Sequence, residues 1–138
     1  MKYWIGVVTK DHVQRGISLG IAQIGHGKAT DLRRMQAGDY LVHYSPKATI
    51  GTKTVLQAFT ALSRISDSEI YQADEGNFNP WRRRVEYLSS VDAPIRPMLA
   101  NLSFTKGKTN WGYAFRYGFL EMTESDFYTI AQEMQAEL

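Results

Sequence analysis

The chain contains no cysteine, which removes disulfides and thiolate metal sites from consideration. No apolar run approaches the ~20 residues that a membrane helix needs. The opening stretch MKYWIGVV has one Lys before a short apolar run and no small-residue cleavage site after it. It therefore reads as a strand and not as a signal peptide, and a cytoplasmic location is the default expectation. No internal repeat, low-complexity run or linker interrupts the 138 residues, which fits one domain over 1–138. A chain of this length can bury roughly 68% of its unfolded surface, enough for one real core.

Several catalytic patterns are also missing. His12, His26 and His43 never pair at i, i+3 or i+4, and no carboxylate stands at metal spacing, so neither a metal nor a cofactor is expected. GISLG at 16–20 matches a nucleophile elbow in letters only. That chemistry needs a strand running straight into the serine, and Ser18 falls inside a helical pattern ten residues past the strand. KGKTN at 106–110 ends like a phosphate loop, but position 102 is Leu where the glycine should stand. Asp74 and Glu75 sit in a polar loop and read as solvated. No catalytic residue is expected.

What charge there is lies unevenly. Residues 1–60 carry 8 Lys/Arg against 3 Asp/Glu, residues 61–120 carry 8 against 6, and residues 121–138 carry none against 5. A basic body suits a polyanion.

The elements follow from pattern. KYWIGVV is a buried strand, and TKDHVQRGISLG is a helix with Val13 and Ile17 four apart and Gly20 at its end. DLRRMQAGDY reads as one or two helical turns, YLVHYS as a strand stopped by Pro46, and TVLQAFTALSRI as a long strand covered on both faces. EIYQ suggests a further short strand. In RRVEYLSSV, Val85 and Tyr87 share one face, and Arg82 and Arg84 point away from Arg83. A short helix is expected after Pro94, and FRYGFLEM is the last strand. The clearest helix is at the end. Thr123 caps it with Asp126 three residues on, and Phe127, Ile130, Ala131 and Met134 make one apolar face. Parallel βαβ repeats are absent, so the expectation is an α+β domain with a curved or closed sheet of about five or six strands and helices at its rim.

Four segments mix polar, basic and aromatic residues around Gly or Pro: AQIGHGK (22–28), HYSPK (43–47), NPWRRRV (79–85) and NWGYAFRYG (110–118). Glycines at 25 and 27 let the backbone approach a ligand closely, and His26 and Lys28 add donors. An unstacked base offers a flat face for aromatic stacking, at ~1–3 kcal/mol per base, and a polar edge for side-chain readout. Arg and Lys outside such a pocket hold phosphates. Trp81 and Trp111 satisfy this use or plain core packing equally well, and the arginines serve it or a solvated face.

YWIGVVTKDHV, AQIGHGK, GDYLVHYSP, FTAL, PWRRRVEYL, LSF and NWGYAFRYG occur in this order across nearly the whole chain, and together they resemble the EVE domain. Ser63 departs from the pattern, where a Gly is expected. The resemblance implies a PUA-like pseudo-barrel of about five or six mostly antiparallel strands with flanking helices, related to the YTH and ASCH domains. YTH relatives hold a methylated adenine of RNA in an aromatic cage, and EVE domains are thought to bind modified bases in DNA or RNA. A carried-over pocket would take Thr9 and Lys10 from the end of the first strand and Ala22, Gln23, His26, Gly27 and Lys28 from the loop after the first helix. Tyr44, Ser45, Pro46 and Lys47 would come from the end of the second strand. Trp81, Arg82, Arg83, Trp111, Tyr113 and Arg116 would supply walls and rim.

The expected function is a non-enzymatic nucleic-acid-binding module that recognises a modified or single-stranded base, with no membrane partner. The rival is an enzyme or sensor acting on a small nucleotide-like metabolite, and an interaction module in a larger complex is a third.

Overall fold

The computed structural model describes residues 1–138. Seven strands form one sheet: β1 (Tyr3–Val7), β2 (Ile21–Ala22), β3 (Tyr40–Lys47), β4 (Val55–Gln72), β5 (Trp81–Tyr87), β6 (Ala93–Pro94) and β7 (Phe119–Met122). Their order is β2-β5-β4-β3-β1-β7, with β6 beside β4. The path is open, with β2 and β7 at its two ends. β1 and β3 run parallel, and the other pairings are antiparallel. With α1 (Lys10–Leu19) and α2 (Glu124–Glu133) the arrangement is an α+β, PUA-like fold. The expected five or six strands become seven because β2 and β6, of two residues each, are too short to leave a pattern. No helix is long and apolar enough to cross a membrane.

Strands covered on both faces explain the near-continuous apolar runs. Ile5, Val42, Phe59 and Leu62 face a core closed by Phe127, Ile130 and Ala131 of α2, by Met134 at its C-cap, and by Ile95, Met98 and Leu102. Trp4, Leu41, Ile65 and Val85 face a second core with Ile24, Leu32 and Met35. Successive residues of β1 and β3 thus enter opposite cores, as the pleat requires. Phe59 and Leu62 are three apart and still share a core, because the β3–β4 register shifts between His43 and Tyr44. A second shift spans Ser45 to Lys47, which lets the strand continue through Pro46 where a stop was expected. EIYQ is no separate strand. It is the far end of the 18-residue β4, beyond a third irregularity in which residues 66–69 bulge out between the pairs Ile65–Val85 and Ile70–Arg83.

α1 buries Val13 and Gly16, not Ile17, which is exposed. A Cβ at position 16 would lie 2.8 Å from the Ile21 carbonyl oxygen and 3.0 Å from Tyr87 Oη, so only glycine lets the helix sit this close to the sheet. Ser18 is exposed and donates to the Arg15 carbonyl, and no elbow forms. In α2 the Thr123 hydroxyl accepts from Asp126 N–H at 3.1 Å, as the capping pattern requires. The Asp126 carboxylate turns instead to Ser103 N–H and the Ser103 hydroxyl, fastening the 96–105 segment over the core. That segment holds only a 3₁₀ turn, Arg96–Met98, where a short helix was expected, and a second 3₁₀ stretch covers Trp111–Phe115. Ser63 stands in regular strand, buried, with its hydroxyl donating to the Leu41 carbonyl.

Candidate binding cleft

The end of β1, α1, the 23–27 turn, the 73–80 loop and residues 115–118 surround one cleft. Its inner chamber, about 230 Å³, lies between α1 and the sheet face that carries His43 and Tyr87. Its outer chamber, about 580 Å³, lies between the Gly25–Gly27 turn and Phe115–Gly118. Val8, His12, Gln23 and Phe78 border both, so the two adjoin.

Local structure fixes these walls. The Ser45 hydroxyl donates to the Val8 carbonyl at 2.7 Å and shares a hydrogen bond with Thr60, which pins the end of β1 as the cleft floor. His26 adopts φ 58° between Gly25 and Gly27, both also left-handed, and the turn folds tightly into the outer chamber. A Cβ on Gly27 would meet Pro80 Cβ at 2.8 Å and Phe78 Cζ at 3.0 Å, so the 73–80 loop rests directly on this turn. Tyr44 stacks on Phe115 with centroids 4.1 Å apart and carries the 111–118 segment to the opposite side.

The inner chamber is lined by uncharged rings. His43 and Tyr87 lie 6.0 Å apart and 30° from parallel. The Tyr87 hydroxyl donates to the Ile21 carbonyl at 2.8 Å, and burial pushes it well above its usual range. His43 Nδ1 is buried without a hydrogen-bond partner, and burial pushes the ring down to about 4, so it is neutral near pH 7. An unfolded chain binds more protons at this position between about 4 and 6.5, so stability is lost as the pH falls through that window. From pH 7 to pH 5 the loss should be about 2 kcal/mol. Thermal melts of wild type and His43→Leu should converge in their pH dependence only if this ring does not titrate; the expected outcome is a flatter profile for the variant.

The sequence-derived candidates divide clearly. Thr9, Gln23, His26, Gly27, Pro46 and Arg116 line the outer chamber, while Arg82 and Gln23 line the inner one. Lys10 heads α1 but is paired with Asp92 at 2.5 Å. Ala22, Tyr44 and Ser45 are buried and line neither chamber, and neither does the exposed Lys28 or the half-buried Lys47. Trp81 packs on the second core with Arg33 5.9 Å from its ring centroid, and Trp111 packs on the first core with Arg96 at 5.5 Å. The two indoles therefore do not face each other across a cage, because β5 and the 111–115 turn close different cores.

Arg83, expected at the rim, is 2% exposed. Its guanidinium donates to the carbonyls of Leu32, Met35 and Asp67 at 2.8, 2.5 and 2.6 Å. Burial pushes its pKa down against the fields of Asp67 and Asp39. Glu75 is not a solvated loop carboxylate either, since it is paired with both Arg15 and Arg82. Of the other ring-bearing residues at the cleft, His43 and Tyr117 fall in the segments HYSPK and NWGYAFRYG without having been assigned to the site, while Phe78 and Tyr87 fall outside the four candidate segments. Tyr87 had one signal, its alternation with Val85. No group of three or more His, Asp or Glu is placed to hold a metal ion.

Residues 93–120, part of which walls the outer chamber, contain Arg96, Lys106, Lys108 and Arg116 and no carboxylate. Arg116 lies 3.8 Å from the Tyr113 ring centroid and 4.4 Å from that of Tyr117, and those rings are 66% and 78% exposed. Together they make a cationic, aromatic face leading out of the outer chamber.

Comparison with known proteins gives a consistent picture. The sequence profile of the EVE domain matches residues 2–133. A UPF0310 protein of Mesorhizobium japonicum is 47% identical over 137 residues, covering 97% of this chain and 92% of its own length. A UPF0310 protein of Mycolicibacterium gilvum is 43% identical over 139 residues, covering 100% and 99%. Among solved structures, a hypothetical protein from Leishmania major superposes with a TM-score of 0.61 at 13% identity, covering 98% of this chain and 95% of its own. An NMR structure from Rhodopseudomonas palustris gives 0.56 at 16% identity, covering 98% and 94%. At such identities these two structures speak for the fold alone.

Proposed function

This chain belongs to the EVE domain family, and from that premise we propose that it is a non-enzymatic, cytoplasmic nucleic-acid-binding module that takes one modified base of DNA or RNA into the cleft. The observation that carries the reading is the joining of a small, ring-lined chamber to a basic, tyrosine-bearing exit. At about 230 Å³ the inner chamber falls below the ~300–1,000 Å³ of pockets for drug-sized ligands and suits a single heterocycle. His43 and Tyr87 offer it ring faces, and Gln23, His12 and Arg82 offer polar contacts at its edge. A neutral His43 adds no charge at the ring-lined end of the chamber, so that end suits an uncharged ring, while Arg15 and Arg82 carry the charge at its border. An added methyl buried against Val13 or Leu19 contributes about 0.8 kcal/mol. The strand on either side of the inserted base follows Arg116 and Lys108, with Tyr113 and Tyr117 open for stacking.

Oligonucleotides carrying modified and unmodified bases, titrated over a range of salt, test this. Affinity should fall with salt, and Lys108→Ala with Arg116→Ala should weaken binding to every sequence alike. The double change should also flatten the logarithmic salt slope by about 1 to 2, two phosphate contacts being lost. Binding indifferent to salt and to both changes would remove the nucleic-acid reading. Tight, salt-independent binding or turnover of a free nucleotide would favour a metabolite enzyme or sensor. Native mass spectrometry with added modified nucleosides identifies which base is held.

A further inference from the structure

Glu75 occupies an unusual place. One carboxylate oxygen accepts from Arg82 on β5, and the other accepts from Arg15 on α1 at 2.6 Å. The Arg82 side chain is only 12% exposed, and its orientation is set from the other edge, where Nε donates to Gln23 Oε1 at 3.1 Å. Arg15 is 63% exposed and is free to reach any anion at this point. Two guanidinium groups from different elements thus converge on two oxygens of one anionic group, at the border of the inner chamber. That donor geometry fits the two non-bridging oxygens of a phosphodiester equally well.

The carboxylate arrives on a loop whose other hydrogen bonds are its own. Ala73 N–H donates to Pro80 O at 2.8 Å, Glu75 N–H to Phe78 O at 2.9 Å, and Gln72 Nε2 to Asn79 O at 3.0 Å. Its link to α1 is the Glu75 carboxylate. Gly76 at φ 75° gives the turn its shape, and Phe78, 47% exposed, borders both chambers. A half-buried Arg82 needs an anionic partner whether or not ligand is present, since an unpaired buried charge is costly.

We infer that Arg15 and Arg82 form a phosphate subsite at the mouth of the inner chamber, filled by Glu75 in the free protein and by a backbone phosphate of the bound strand in the complex. This rests on the function proposed above. It adds that the protein carries its own competitor, and that strand entry exchanges one anion for another without leaving Arg82 unpaired. Removing the carboxylate therefore strengthens binding, the reverse of what loss of a structural ion pair would do.

The test compares wild type, Glu75→Gln, Arg15→Ala and the double variant. Each is titrated with inorganic phosphate, followed through arginine Nε–H resonances, and with a short single-stranded oligonucleotide, followed by fluorescence anisotropy. Glu75→Gln should bind both about three- to tenfold more tightly, and Arg15→Ala in the Glu75→Gln background should cancel the gain. Arg15 lies on the outer face of α1, so its single variant, expected to bind the oligonucleotide less tightly than wild type, reports even where Glu75→Gln lowers the melting temperature. A gain for phosphate with no oligonucleotide binding by any variant would support the subsite and reject the nucleic-acid function. Salt-dependent oligonucleotide binding that Glu75→Gln leaves unchanged or weakens, with no gain for phosphate, would overturn the subsite and leave that function standing.

Discussion

Replacing Arg83 by Ala should destabilise the protein by ~3–5 kcal/mol, a large share of the 5–15 kcal/mol that holds a typical domain folded. The guanidinium reaches into the opening left where residues 66–69 bulge from β4, and it serves three carbonyls from two other segments. Its removal leaves the carbonyls of Leu32, Met35 and Asp67 without this donor and opens a void between the 32–35 turn and the sheet. Arg83→Met fills much of the volume but restores no donor, so it should recover only part of the loss. Thermal melts should show a fall of about 10–20 °C for Arg83→Ala. A change of only a degree or two would mean the side chain is solvated in solution. At a temperature where the variant is still folded, its salt slope for oligonucleotide binding should match wild type, because Arg83 reaches no phosphate. That separates it from Lys108 and Arg116, whose loss leaves the fold intact and changes the slope.

Val8→Trp should have the largest effect on recognition. Val8 stands where the inner and outer chambers adjoin, with its backbone held on both sides by Tyr44 O and the Ser45 hydroxyl. An indole there fills the passage without cutting any hydrogen bond of the floor. Affinity for an oligonucleotide with the preferred modified base should drop about 10- to 100-fold, the value of one stacked base. Discrimination against the unmodified base should vanish, while the weaker, salt-dependent binding through the 96–118 face persists. Anisotropy titrations with both oligonucleotides read this directly. Undiminished discrimination in a variant that melts like wild type would place the base somewhere other than this cleft.

The elements were legible where one physical rule dominated. Short apolar runs marked β1 and β3, the pleat set Arg83 opposite to Arg82 and Arg84, and the 3.6 period with its cap marked α2. Which arginine faces inward was not legible, because the carbonyls that attract Arg83 come from a bulge and a 3₁₀ turn that carry no sequence pattern. The glycine turn at 25–27 was readable as a close approach, though not as the seat of the 73–80 loop. Trp81 and Trp111 stayed open between cage and core for a related reason: an indole beside arginines looks alike in both, and only the partner surface decides. His43 was named but given no role, because a lone histidine inside an apolar run has no spacing to interpret. Glu75 looked solvated because its partners lie sixty residues before it in α1 and seven after it in β5.

The pairing of β1 has a bearing on the order in which the molecule assembles. This strand precedes the other six, yet it lies between β3 and β7, and its second neighbour is made of residues 119–122. During synthesis β1 must therefore wait, with one edge bare, until residues 119–122 have emerged. The floor beneath Val8 is finished late, and a ribosome-bound fragment lacking β7 would expose a sticky border to its neighbours.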